Sequence, residues 1–249
     1  MSKDRLFSDP DLAQFYDWDC PWTADFDWFA SLVAGTRSVL DLGCGTGVFT
    51  AAMACRGADA VGVDAAAAML DIARARDGGD RVTWVKGDVR HLALGRRFDA
   101  VVMTGHAFQA LLTRADRAAV LAVIRRHLEP AGRFFFDSRN PEAQAWLAWT
   151  PDATRARRPH PVFGMVERWI DARTKADGDV VSYATRYRLP DGRQFSAQSR
   201  IAFPPLAELE RRSGEAGLRV DRWAGDAAGG PVVPGCVDLI AIGGVRGAR

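Results

Sequence analysis

The protein has 249 residues, and its 33 lysines and arginines nearly balance 31 aspartates and glutamates, for a formal charge of +2. That balance argues against a general nucleic-acid binder, which usually carries a strong basic excess. Hydrophobic residues make up 48% and charged residues 26%, which excludes a disordered chain and is typical of a folded globular protein.

The four cysteines form no Cys-x-x-Cys pair and no cluster with histidine, so we expect neither disulfides nor a metal site; they are Cys20, Cys44, Cys55 and Cys236. The first fourteen residues, MSKDRLFSDPDLAQ, lack the apolar stretch of a signal peptide. No apolar run approaches the roughly 18–20 residues that cross a bilayer. We therefore expect a reduced cytoplasmic protein with no membrane partner.

The chain begins with an aromatic-rich segment, residues 1–23, and apolar residues at helical spacing then predict an amphipathic helix over 24–34. From there to residue 140, short apolar strands alternate with helices. The predicted strands are 38–42, 60–63, 82–86, 98–104 and 132–137, and the predicted helices are 48–56, 65–76 and 113–128. Such alternation indicates a parallel sheet with helices on both faces.

The pattern changes after residue 150. Residues 151–161 are polar and bounded by prolines, and we expect a linker there. Alternating apolar residues then predict an antiparallel meander with one buried face, and its strands are 162–171, 180–189 and 194–203. A helix and two strands complete the predicted elements, at 206–216, 218–223 and 237–242.

The most informative segment is VLDLGCGTGVFT, residues 39–50. A buried strand ends at Leu42, and a glycine-rich turn from Gly43 to Gly47 leads into the next helix. Glycines allow positive φ and let backbone approach a ligand closely, and the helix N-terminus offers unpaired N–H groups. Turns of this kind, at the carboxyl ends of parallel strands, are where open α/β sheets bind nucleotides.

Departures from known fingerprints indicate which nucleotide binds. A dinucleotide fingerprint requires a third glycine where this chain has Val48, and usually an apolar residue where it has Asp41. A carboxylate there would repel a pyrophosphate but could attract a ligand ammonium. No Gly-Lys-Ser/Thr follows, which excludes a P-loop. The pattern favours a cofactor that carries an amino acid over NAD, with a nicotinamide-dependent oxidoreductase as an alternative.

These residues resemble the class I S-adenosylmethionine-dependent methyltransferases, through motifs that occur in order over most of the chain. DLGCGTG is similar to the family's first motif. AVGVD, which ends in Asp64, is similar to the second motif, and VKGDVRHL is similar to the third. FDAVVMTGHAFQALL and HLEPAGRFFFD resemble the segments that follow. The resemblance implies S-adenosylmethionine as cofactor and S-adenosylhomocysteine as product, with Asp64 on the ribose hydroxyls, Asp88 on the adenine amino group and Val89 against the ring.

The resemblance also implies the fold and the cofactor site. The fold would be α/β, a Rossmann-like doubly wound sheet of seven strands, mostly parallel with the last strand antiparallel. The chain would be one domain, 1–249, in which the meander 162–203 is inserted as a lid or a dimer element, as in small-substrate members such as sugar-amine N-methyltransferases. The expected cofactor-binding residues are Asp41, Gly43, Cys44, Gly45, Gly47, Asp64, Ala65, Asp88, Val89 and Thr104.

Each of these assignments has a purely structural alternative. The glycines could form an ordinary strand–helix turn, and Asp64 could serve only as the N-cap of the next helix. Asp88 could be a loop carboxylate that local N–H groups satisfy. Cys44 is better interpreted as a small filler than as a nucleophile.

Residues just past the fourth strand should face the transferred methyl group. His106 is the candidate general base, because histidine gains and loses protons near neutral pH; the alternative is a packing role beside the cofactor. Phe108 and Gln109 are candidate substrate contacts. Tyr16, Trp18 and Trp22 could form a lid over the cofactor and substrate, or a hydrophobic strap that packs the first helix on the sheet.

Several absences narrow the methyl acceptor. The Asn/Asp-Pro-Pro-aromatic turn of enzymes that act on base amines is replaced by Thr104-Gly105-His106-Ala107. No glutamate lies between Asp99 and Leu128, unlike in protein-arginine methyltransferases, and Thr104 stands where catechol-type enzymes have an acidic metal ligand. What remains is methyl transfer to an amine, or else a hydroxyl, of a small molecule, by a monomer or homodimer. The alternative from another class is a non-catalytic regulator that binds S-adenosylmethionine.

Overall fold

A computed structural model describes residues 4–247, and their side chains except those of 173–177. The helices are α1 (Arg5–Ser8), α2 (Pro10–Ala13), α3 (Tyr16–Asp19), α4 (Ala24–Leu32), α5 (Val48–Cys55), α6 (Ala67–Ala75), α7 (Arg114–His127), α8 (Pro151–Thr154) and α9 (Leu206–Glu215). The strands are β1 (Ser38–Leu42), β2 (Asp59–Asp64), β3 (Thr83–Lys86), β4 (Phe98–Met103), β5 (Leu128–Arg139), β6 (Ala156–His160), β7 (Gly164–Asp177), β8 (Val180–Arg188), β9 (Gln194–Ala202), β10 (Leu218–Ala224) and β11 (Asp238–Val245).

Seven strands form the central sheet, in the order β10-β11-β5-β4-β1-β2-β3. The pairs among β1 to β5 are parallel, and β11 runs antiparallel between β5 and β10. The predicted fold class is thereby confirmed. None of the helices within residues 4–247 is long and apolar enough to span a membrane.

The two faces of the sheet bury separate cores, because successive strand residues point to opposite sides. On one face, Phe29 of α4 and Phe49 of α5 pack with Phe135 of β5. On the other face, Ile124 of α7 and Leu209 of α9 pack with the neighbouring strand residues. The helix α7 begins with a capping box formed by Thr113 and Asp116.

A second, four-stranded antiparallel sheet has the order β6-β7-β8-β9. The linker predicted at 151–161 is wrong, because this segment contains α8 and β6. The strand was not predicted because Pro159 lies within it. In the described sheet β6 is the edge strand beside β7, and an edge strand tolerates a residue without an N–H. The strand predicted at 132–137 begins earlier, at Leu128, because an irregularity in the β4–β5 register accommodates residues 129–132 inside β5.

Two contacts fix the inserted sheet to the rest of the molecule. Phe15, between α2 and α3, is fully buried and stacks on Tyr187 of β8 with ring centroids 4.4 Å apart. Arg117 of α7, only 1% exposed, pairs with Glu208 of α9 at 2.9 Å and with Asp179 at the β7–β8 turn at 2.7 Å. The sheet is therefore held against the carboxyl ends of the central strands.

Candidate functional site

Three glycines shape the loop that joins β1 to α5. Gly43, Gly45 and Gly47 have φ values of 78°, 55° and 74°, in the left-handed region that side chains disfavour. A Cβ at Gly47 would overlap the Trp84 ring, so a larger residue there would force a rearrangement. The N–H of Gly43 donates to the Val63 carbonyl at 2.8 Å, which ties the loop to the end of β2.

Asp64, the last residue of β2, holds the same loop with its carboxylate. Its Oδ2 accepts from the N–H of Gly45 at 2.9 Å, and its Oδ1 from the N–H of Ala66 at 2.8 Å. Burial raises the pKa of the Asp64 carboxyl, and these N–H groups offset part of the rise. Each oxygen keeps a further lone pair for a ligand hydroxyl. The N-cap residue of α6 is Ala66, so Asp64 is not the helix cap of the structural alternative.

Asp41 lies behind the loop and is only 1% exposed. Its Oδ2 accepts from the Thr50 hydroxyl at 2.6 Å, whereas its Oδ1 has no hydrogen-bond partner within residues 4–247. Burial raises the pKa of the Asp41 carboxyl to about 7. A buried acceptor that lacks a donor is unusual in folded proteins and indicates a place for a ligand cation or a water.

A cavity of about 450 Å³ opens at the glycine loop, a volume within the range of small-molecule sites. We call one side the loop half, which is lined by Gly43, Gly45, Asp64, Ala65, Met69 and Asp88. We call the other side the sheet half, which is lined by Tyr16, Asp19, Arg139, Arg168, Tyr183 and Ile201. Thr104, Gly105 and His106 lie between the halves, because they follow β4 and β4 lies between β1 and β5.

Asp88 gives the loop half a second carboxylate, beyond β3. Its oxygens accept from the Arg90 guanidinium, which holds the pKa of Asp88 well below its usual range. Asp88 is therefore ionised at neutral pH and acts only as an acceptor.

Tyr16 closes the cavity from the sheet half. Its ring lies 3.8 Å from the position that a Cβ of Gly45 would occupy. Its hydroxyl lies 3.9 Å from the position that a Cβ of Gly105 would occupy. The next residue, Asp17, accepts from the Thr46 hydroxyl at 2.5 Å and from Arg76 at 2.6 Å. This Asp17–Thr46–Arg76 latch fastens α3 to the glycine loop.

His106 has an unusual backbone and a paired ring. Its φ is 61°, and its N–H donates to both oxygens of the buried Asp137, at 2.9 and 3.1 Å. Its Nε2 lies 2.8 Å from Oδ1 of Asp238. Burial raises the pKa of Asp137, while His106 opposes the rise. Two carboxylates thus orient the histidine and make this part of the cavity electronegative.

Comparison with known proteins identifies the part of the chain around the loop half. A family described as Methyltransferase domain matches residues 39–132, which include the glycine loop, Asp64, Asp88 and His106. Residues 39–132 are a methyltransferase domain. This match agrees with the methyltransferase motifs found in the sequence.

Relatives and solved structures extend the methyltransferase likeness beyond that domain. Cypemycin N-terminal methyltransferase of a Streptomyces species is 41% identical over 42% of this chain and 43% of its own. The dTDP-3-amino-3,4,6-trideoxy-α-D-glucopyranose N,N-dimethyltransferase of Streptomyces venezuelae is 29% identical over 82% and 84%. The chain spans about half the length of the first curated relatives it matches. The structure of the CcbJ methyltransferase from Streptomyces caelestis has the same fold, with a TM-score of 0.77 at 21% identity over 99% of this chain and 100% of its own.

Not every residue predicted to bind the methyltransferase cofactor lines the cavity. Gly43, Gly45, Asp64, Ala65, Asp88 and Thr104 line it, together with the candidate base His106. Asp41, Cys44, Gly47 and Val89 lie behind this lining. Gly47 shapes the loop, Val89 belongs to the core, and Cys44 is a half-buried free thiol.

The structure places Phe108 and Gln109 outside the cavity lining, although both were predicted to contact substrate. A short 3₁₀ turn after His106 directs them inward. Phe108 is fully buried and stacks on Phe136 with centroids 4.3 Å apart. Gln109 is also fully buried; its amide donates to the Ala202 carbonyl at 2.7 Å and accepts from Arg139 at 2.8 Å.

The three aromatics of the N-terminal segment separate into the two predicted roles. Tyr16 covers the cavity, as a lid residue would. Trp22 stacks on Phe26 in the α4 core, and Trp18 donates its ring N–H to the Pro159 carbonyl of β6 at 2.8 Å. The latter two residues are therefore part of a structural strap.

Four polar residues of the site were missed by sequence reasoning: Asp19, Arg139, Arg168 and Asp238. Arg139 and Asp238 stand at strand ends near the fourth-strand turn, which was the only signal that could have found them. Their proximity depends on the antiparallel pairing of β5 with β11, in which they face each other. Arg168 pairs with Asp19 at 3.0 Å across the contact between β7 and α3.

Proposed function

We propose that the protein transfers a methyl group from S-adenosylmethionine to an amine of a small molecule. The observation that carries this proposal is a single cavity that joins the glycine loop and Asp64 to His106 and its carboxylate partners. A cofactor in the loop half would lie beside an acceptor in the sheet half, with His106 at their boundary. This is the proximity that a group transfer requires.

The residues of the loop half fit the cofactor. Gly43 and Gly45 leave room where a Cβ would stand, and Asp64 and Asp88 offer acceptors for its ribose hydroxyls and adenine amino group. The partnerless Oδ1 of Asp41 suits the cofactor's ammonium, directly or through a water. When bound, the sulfonium of S-adenosylmethionine supplies an electrophilic methyl group.

In this proposal His106 takes a proton from the acceptor. Asp238 holds Nε2, which leaves Nδ1 as the nitrogen that can accept the proton. The carboxylates of Asp137 and Asp238 stabilise the imidazolium that results and attract a cationic acceptor into the cavity. Tyr16 and the inserted sheet would exclude water, so we propose a lid role for that sheet.

An amine is favoured over a hydroxyl for two reasons. The electronegative surroundings of His106 would concentrate an ammonium, whereas they would oppose the formation of an alkoxide or phenolate. The N,N-dimethyltransferase described above is named for transfer to nitrogen. Ubiquinone biosynthesis O-methyltransferases of about 30% identity also match, over about half the chain. Hydroxyl compounds must therefore be tested as acceptors alongside amines.

The direct test is a screen of small amines and of hydroxyl compounds of the same skeletons, read as S-adenosylhomocysteine formation. We expect product with amines and little with the hydroxyl partners. His106→Asn, which suits the positive φ at this position, should lower kcat by about 10²-fold or more and flatten the pH–rate profile. Turnover of hydroxyl compounds alone would overturn the amine assignment, and an unchanged pH profile would reduce His106 to a structural role.

A non-catalytic regulator is the competing function. The cavity extends past Thr104 to Arg139 and the inserted sheet, and this room beside the cofactor argues for an acceptor and therefore for the enzyme, because a pure binding protein needs no second space. Binding of S-adenosylhomocysteine without turnover of any acceptor would favour the regulator.

A further inference from the structure

Arg139 occupies a place in the sheet half that the proposed chemistry has not used. It is the last residue of β5, it lines the cavity, and it is half-buried. Its Nη1 donates to Oε1 of Gln109 at 2.8 Å, and its guanidinium carbon lies 5.5 Å from the Trp149 ring centroid. The buried Gln109 is itself fixed by the Ala202 carbonyl, so the guanidinium is held in one orientation.

The Arg139 guanidinium acts on the buried Asp137 at a distance, and its charge opposes the rise in the pKa of that carboxyl. The other arginine of the sheet half, Arg168, pairs with Asp19. Among the side chains that the structure describes, no carboxylate pairs directly with Arg139, and its hydrogen bond to Gln109 uses one of five N–H donors. The nearby acids are engaged by His106, Asp238 by its ring and Asp137 by its backbone N–H.

The position of Arg139 relative to His106 limits the size of what can bridge them. Arg139 faces Asp238 directly in the β5–β11 register, and Asp238 holds the His106 ring. Residues that face each other in an antiparallel pair have Cα atoms about 4.5–5.5 Å apart. An anion at Arg139 and an amine at His106 are therefore neighbours and fit two groups of one small molecule.

We infer that Arg139 binds a carboxylate of the methyl acceptor, so that the acceptor is an amino acid or another amine with a nearby carboxylate. The planar fork of a guanidinium matches a carboxylate, and the neighbouring Trp149 ring and the buried Gln109 preorganise it. The arrangement places the amine at the electronegative His106 and the carboxylate at the cation. This inference rests on the proposed amine transfer.

The test uses the full chain and matched acceptor pairs that differ by one carboxylate: L-phenylalanine with 2-phenylethylamine, and L-alanine with ethylamine. For wild type we expect kcat/KM at least about tenfold higher for the amino acid of a pair, the effect of one charge-assisted contact. Arg139→Met should remove that preference through KM and leave the plain amine within about twofold, at unchanged S-adenosylhomocysteine affinity. Arg193→Met, in the exposed β8–β9 turn, is the matched control and should change neither.

The outcomes separate the inference from the function on which it rests. Turnover of plain amines without a carboxylate preference, or an equal loss for both members of a pair in Arg139→Met, overturns the role of Arg139 alone. Turnover of neither member of any pair overturns the amine transfer and this inference with it. If Arg139→Met does not fold, competitive inhibition of wild type by 3-phenylpropionate, and not by 3-phenylpropanol, supports the carboxylate site, and its absence contradicts it.

Discussion

The loop half and the sheet half of the cavity are built in different ways. The loop half comes from one strand–helix–strand succession of about twenty residues, in which the N–H groups of Gly43 and Gly45 donate to the Val63 carbonyl and the Asp64 carboxylate. The sheet half is assembled from distant segments, as in the contact between Trp18 and Pro159, which are 141 residues apart. The local construction of the loop half suits a cofactor that many enzymes share. The sheet half, built from distant segments, can differ between enzymes that act on different acceptors.

The two halves should also differ in what holds them. Backbone turns stabilise the loop half, whereas side-chain clusters such as Arg117–Glu208–Asp179 hold the inserted sheet in place. Mutations can therefore separate the halves. The first three predictions below are ordered from the largest expected effect to the smallest, and a fourth concerns pH.

Arg117→Met should destabilise the protein by about 3–5 kcal/mol, because it leaves Glu208 buried with only Arg114 as a partner. Urea unfolding measures the loss. Arg211→Met is the matched control; its pair with Glu215 is about half exposed on both sides, and we expect less than about 1 kcal/mol. Equal effects of the two variants would show that this cluster does not anchor the sheet half.

Asp64→Ala should weaken S-adenosylhomocysteine binding by about 1–2 kcal/mol, since a charged acceptor in the loop half is lost. Titration calorimetry measures the change. Asp59→Ala, at the exposed opposite end of β2, removes only a surface pair with Arg96 and should leave the affinity unchanged. An Asp64→Ala protein that binds like wild type would remove Asp64 from the cofactor site.

Asp17→Asn should loosen the latch between α3 and the glycine loop. The latch is partly exposed, so we expect only about a two- to fivefold faster release of S-adenosylhomocysteine. Stopped-flow displacement measures this rate, and Asp11→Asn on the surface of α2 serves as the control. Identical rates would mean that Tyr16 covers the cavity without help from the latch.

Asp41 should make stability fall as the pH rises. Its native pKa is raised to about 7 from an ordinary value of 3.8, so the native state holds a proton that the unfolded state has released. The free energy of unfolding should therefore decrease between about pH 4 and pH 7, and the decrease should be smaller in Asp41→Asn. Urea titrations across this range measure the difference, with Asp71→Asn as an exposed control, and parallel curves for Asp41→Asn and wild type would contradict the assignment.

The loop half could be predicted from the sequence more fully than the sheet half. The strand–helix alternation, the glycine turn, Asp64 and Asp88 were predictable, because each depends on residues close together in the chain. The partnership of His106 with Asp238 was not, because it joins positions 132 residues apart through the pairing of β5 with β11. Phe108 and Gln109 were misjudged because two consecutive residues with positive φ, Gly105 and His106, precede a 3₁₀ turn that directs them toward the core. The edge strand β6 was not predicted, because it contains Pro159.

The most direct test of the account is titration calorimetry of the wild-type protein with S-adenosylhomocysteine, alongside Gly45→Val. We predict one molecule bound per chain, and loss of binding in Gly45→Val, because the new side chain enters the loop half and opposes a φ of 55°. Absence of binding up to millimolar ligand, or equal binding by Gly45→Val, would contradict the assignment of this cavity to S-adenosylmethionine.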